Sequence, residues 1–210
     1  MRPVSTLWLL LLCGMIATAC NQNPPVNQES APSVAETFVD DHTADVQEAV
    51  TALQTNVADW AQADDLTAAQ EAAEGARNVV VGPFGPGYGD TTGDGIITGE
   101  NSEGLLPGLD SATVLDHAGL VQAAPTNDCI DADVLGGSWQ DPQQRWDVLQ
   151  NAIDQWSPTN NPFPSLPSHL QRIVGWATLT LESQDLDQAH EFAGHAQLHV
   201  DVTTAAYACN

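Results

Sequence analysis

The chain contains no lysine, and its only basic side chains are four arginines set against 28 aspartates and glutamates. Phosphate recognition is built from Lys and Arg, so a surface this acidic excludes nucleic acid as a partner. Apolar runs are equally scarce. The one continuous stretch, Leu7 to Ile16 interrupted by Cys13 and Gly14, is short of the ~20 residues a bilayer span needs, and no second one follows. Catalytic signatures are missing too: there is no Ser-His-Asp order, phosphate loop, dinucleotide fingerprint or Cys-His pair. The chain is therefore read as a non-enzyme. Two sources of the acidity are open. A saline habitat would screen self-repulsion, and a functional surface would gather cations or basic partners.

Arg2 followed by the short apolar run and the small residues Ala17-Thr18-Ala19 has the layout of a cleaved export signal. Cys20 stands where the cut must fall. Residues 1–19 are the expected leader and 20–32, a polar Pro-containing stretch, the expected tether. This arrangement resembles the lipobox of bacterial lipoproteins, with Ala17 where that motif usually has Leu. The resemblance implies a lipid on Cys20 that holds the chain to a membrane of the cell envelope, facing the periplasm or the cell surface. Removing Arg2 with the leader leaves Arg77, Arg145 and Arg172 as the only cations. Lipidation of Cys20 leaves Cys129 and Cys209, which an oxidising compartment would join.

Residues 33–210 read as an all-α domain. Ser33 and Glu36 have capping-box spacing. Val46, Val50, Leu53, Val57 and Trp60 form one helical stripe, and Leu66, Ala69, Ala73, Ala76 and Val80 form another. Residues 82–110 are dense in Gly, Pro, Asp and Thr and read as an irregular loop. A short helix is expected from Ser111 to Ala123, then an irregular stretch from Cys129 to Gly137. Helices follow from Asp141 with Pro142 in its first turn, from Ser168 to about Leu181, and from Leu186 to about Tyr207. Shifting the chain by 120 residues places Asp65, Leu66, Ala69, Glu71, Ala73, Ala76 and Val80 on Asp185, Leu186, Ala189, Glu191, Ala193, Ala196 and Val200. Two related helical hairpins packed as a four-helix bundle, with the Gly-rich loop inserted between them, is the expected fold.

Two segments carry possible chemistry. In the loop, Asp90, Thr92, Asp94, Gly95, Ile96 and Ile97 resemble the first eight positions of EF-hand and dockerin loops, with the Ile96 carbonyl as a ligand. The resemblance implies calcium. It departs at position twelve, where Asn101 replaces the bidentate acid, leaving Glu100 or Glu103 to substitute. Residues 76–108, with Asn78, Gly82, the GDTTGDG run and GLLPG, also resemble a type of exported bacterial helical protein. That likeness implies a helical extracytoplasmic domain and carries no activity with it. In the last helical segment His190 and His195 are five apart, not the four of H-E-x-x-H. Glu191, His195 and His199 do recur at successive turns, and two imidazoles with a carboxylate could hold zinc or copper. The apolar stripe of that segment points away from them, so the competing expectation is a solvated polar flank. His117 and His169 would add ligands only if folding brought them near.

Overall fold

Asp65, Asp141, Ser168 and Asp185 each accept a backbone amide two or three residues onward, and each opens a helix. A side-chain oxygen at this position satisfies one of the donors a first turn leaves without a partner. The computed structural model describes residues 34–109, 119–123 and 127–209. Cys20, the leader, the tether, Ser33 and His117 lie outside them. Every regular element among the described residues is helical. In order they are α1 (Val34–Ala61), α2 (Leu66–Val81), α3 (Leu120–Ala123), a π-helical turn (Ile130–Val134), α4 (Pro142–Gln155), a 3-10 turn (Phe163–Ser165), α5 (His169–Glu182) and α6 (Leu186–Tyr207).

Packing runs α1 to α2, α2 to α5, α5 to α6 and α6 back to α1, which closes a four-helix bundle. The repeat read from the sequence is its core. Ala69, Ala73, Ala76 and Val80 are fully buried in α2, and so are Ala189, Ala193, Ala196 and Val200 in α6. The same shift pairs α1 with α5, where Val50, Leu53, Val57 and Trp60 match Leu170, Ile173, Ala177 and Thr180, all buried. Small residues on α2 and α6 let the larger side chains of α1 and α5 interlock between them. The buried Trp60 indole, in the last turn of α1, donates to the Ala189 carbonyl in the first turn of α6 at 2.9 Å, satisfying its one polar atom.

The remaining elements wrap this core. α4 packs on α5, and the π-helical turn packs on α5 and α6. Helical turns thus occupy part of the stretch from Cys129 to Gly137, which the sequence reads as irregular. Of the helix expected from Ser111 to Ala123, residues 111–118 lie outside the described residues; Gly119 is non-helical at φ 78° and Leu120–Ala123 is helical. Cys129 and Cys209 are joined, sulfur to sulfur at 2.11 Å, and close a loop of 80 residues. Beside the disulfide, Asn127 donates to the Cys209 carbonyl at 2.9 Å, a second tie on the end of α6.

Candidate functional site: the Gly/Asp loop and the histidine flank

The loop after α2 is gathered on a side chain that the sequence does not single out. Glu74 is fully buried. Its Oε2 accepts the amides of Thr91 (2.5 Å) and Thr92 (2.9 Å), and its Oε1 accepts that of Thr98 (3.1 Å). One turn on, the Asn78 side chain holds Gly89 by both its amide and its carbonyl, and also donates to the Thr98 carbonyl at 2.8 Å. Arg77 donates to the Thr91 hydroxyl. The loop in return finishes the helix. The last carbonyls of an α-helix lack partners within it, and here those of Asn78 and Val79 accept from Asn101 Nδ2. The amides of Leu105 and Leu106 supply further bonds to Val79 and Val80.

The loop backbone lies directly on the helix. A Cβ on Gly99 would stand 2.3 Å from the Gly75 carbonyl, and one on Gly82 would stand 2.1 Å from the Gly104 nitrogen. Glycine at these points is a requirement of contact.

Of the residues aligned with a calcium loop, Asp90, Thr92 and Asp94 share one turn. Asp90 Oδ1 accepts the amides of Gly93 (2.6 Å) and Asp94 (3.2 Å), and Oδ2 accepts that of Gly95 (2.8 Å). The Gly95 amide is the main reason the Asp90 carboxyl sits below its usual range. Asp94 accepts the Ile96 amide at 2.7 Å. Glu100 does not join them. It lines a cleft of about 330 Å³ with Asp45, Glu48 and Glu103, on the α1 side. Among the described residues no three His, Cys, Asp or Glu side chains converge as a ligand set. A calcium loop turns oxygens inward on a cation. Here loop amide N–H groups converge on two carboxylates, Glu74 and Asp90.

Glu191, His195 and His199 share a face of α6, but their surroundings differ. Glu191 is exposed. The His195 ring stacks on Trp176 of α5, with centroids 4.4 Å apart and planes 13° from parallel. Both line a cleft of about 140 Å³ with Trp156, Phe192 and Glu191. His199 turns elsewhere, its Nδ1 lying 3.0 Å from Nδ1 of His169 at the start of α5. Burial, and then the neighbouring His169, Arg172 and His195, hold His199 down at about 3. The face is therefore not the bare solvated flank its stripe suggests, because α5 and the π-helical turn cover its C-terminal part. His190 lies on the other side of the helix, its Nε2 at 2.9 Å from the Ala63 carbonyl. Folding does bring His169 to the site, and the nitrogen it meets belongs to His199 alone.

No protein-family model, curated protein or solved structure matches the chain. Among the described residues no helix is long and apolar enough to cross a membrane.

Proposed function

We propose that the chain is a non-enzymatic binding module of the cell envelope, held to a membrane by a lipid on Cys20 and presenting its Gly/Asp loop to a protein partner. The observation that carries this reading is the fixed loop itself. Ile96, 64% exposed, and the neighbouring Ile97 stand in solvent on a backbone that the buried Glu74 and Asn78 hold in place. A pair of apolar side chains on a mobile loop would lose ordering entropy on binding, and a preorganised pair avoids much of that loss. Acids Asp90, Asp94 and Glu100 surround the pair in sequence, so a complementary partner has an apolar socket with a basic rim. On this reading calcium is not needed to hold the loop, since Glu74 and Asp90 already collect its amides.

The experiment is cross-linking of the full-length protein in its own membranes, wild type against an Ile96→Ser, Ile97→Ser variant. A defined partner recovered with the wild type and lost with the variant, both folded, supports the reading. A partner retained equally by both places recognition elsewhere and overturns it. Metabolic labelling with a radioactive fatty acid tests the anchor, and label that persists in Cys20→Ser contradicts it.

A further inference from the structure

The start of α5 and the C-terminal half of α6 bring together two imidazoles that the sequence keeps 30 residues apart. His169 Nδ1 lies 3.0 Å from His199 Nδ1, with the ring planes at 68°. Packing fixes both rings. His169 is the first residue of α5, and Ser168 before it caps that helix and donates to the Val134 carbonyl of the π-helical turn. His199 is carried by α6, which packs along α5. Both residues are half-buried, so the pair is held by helices and still reaches solvent. Among the described residues neither Nδ1 bonds any other group, and neither Nε2 is sealed from water without a partner. As the pair stands, one Nδ1–H donates to the other Nδ1, which uses one lone pair. A cation in the same place would use both.

We propose that His169 and His199 form a copper(II) site, each ligating through Nδ1, with water in the remaining positions. The spacing selects the metal. Imidazole–metal bonds of about 2.0–2.1 Å put two nitrogens about 2.9 Å apart at a right angle and about 3.3 Å apart at the tetrahedral angle. The observed 3.0 Å is nearer the right angle, which tetragonal copper(II) adopts with nitrogen and oxygen ligands. Copper(II) is also the divalent first-row ion that such donors bind most tightly. Ligation needs both rings as Nε2–H tautomers. The ring that donates from Nδ1 loses that proton to solvent and takes one at Nε2, so no net proton is released. The site is not the Glu191, His195 and His199 face of α6, because Glu191 is exposed and His195 is stacked on Trp176. Of the charged groups around the pair, Asp133 of the π-helical turn favours a cation and Arg172 opposes one. The net charge of −24 gathers cations at the surface as a whole.

The test adds copper(II) chloride to the full chain in excess citrate, an oxygen-donor competitor that withholds copper from isolated surface carboxylates. Pulsed EPR then counts the coordinated imidazoles by their remote nitrogens. One equivalent of copper with two imidazoles is expected in the wild type. His169→Ala and His199→Ala should each weaken binding at least tenfold and remove one imidazole from the spectrum. Asp133→Asn, a change at an exposed position, should weaken binding severalfold with the fold intact. His195→Ala should leave both affinity and spectrum unchanged. No copper held against citrate by the folded wild type would overturn the proposal, as would a bound spectrum without two imidazoles. An imidazole lost in His195→Ala and kept in His169→Ala would place the metal on the α6 face alone, and would overturn it too.

Discussion

Gln70 and His190 make the same contact from opposite sides of the bundle. Gln70 Nε2 of α2 donates to the Ser183 carbonyl in the α5–α6 turn at 3.0 Å, and His190 Nε2 of α6 lies 2.9 Å from the Ala63 carbonyl in the α1–α2 turn. Residues 70 and 190 are 120 apart, and so are 63 and 183. Each hairpin thus fastens the turn of the other, and the relation holds in polar contacts as well as in the buried stripe.

Gln70→Ala and His190→Ala should therefore destabilise by similar amounts. Each removes contacts to turn carbonyls, which corresponds to about 1 kcal/mol of net hydrogen bonding. Urea unfolding of the two variants checks this. A large cost at one position with none at the other would show that the symmetry is only one of shape.

The glycines of the loop should divide sharply. Gly82 has φ 61° and a virtual Cβ 2.1 Å from backbone nitrogen, so Gly82→Ala meets both strain and collision, and a cost above about 3 kcal/mol is expected. Gly93 also has positive φ, 78°, but nothing lies within 4 Å of its virtual Cβ. Gly93→Ala should cost only about 1 kcal/mol, the conformational penalty alone. Thermal melts of the pair separate contact from backbone preference.

Acid should weaken the bundle through the His169–His199 pair. Both imidazoles are held below their usual 6.5, so the unfolded chain binds more protons than the folded one as pH falls from there. The stabilisation from keeping them neutral is present above about pH 6.5 and is lost as pH drops toward 3, with Arg172 and His195 reinforcing the loss and Asp133, beside His169, opposing it. His199→Gln should flatten the dependence of melting temperature on pH across this window. An unchanged slope would overturn the assignment to this pair, because the depressed titration of Asp90 acts only at lower pH.

Much of the fold is legible in the sequence because its signals are local and periodic. The helix starts at Asp141 and Ser168, and the Ala stripes repeated at 120 residues, each specify one helix or one buried face. The site is less legible. Glu74 is one of 28 acids, and nothing near it marks the one whose carboxylate receives loop amides from 17 to 24 residues away. The Asp90–Asp94 spacing is visible, but spacing alone does not say whether oxygens or N–H groups face inward. On α6 the periodicity finds the shared face of Glu191, His195 and His199. It does not show that Trp176 takes one histidine and His169 the other, since those partners come from α5.

We predict that the three amide bonds to Glu74 hold the Gly/Asp loop on α2 when metal ions are removed. The most direct measurement is amide hydrogen exchange at Thr91, Thr92 and Thr98 by NMR, in excess chelator, for the wild type and Glu74→Gln. Each bond to a charged acceptor contributes about 1.5–3 kcal/mol, so the wild-type amides should be strongly protected. Glu74→Gln should lower protection at these three positions at least tenfold while Ala73, Ala76 and Val80 stay protected with the bundle. Amides that exchange freely in chelator and gain protection only when calcium is added would contradict the account and make the loop a cation site.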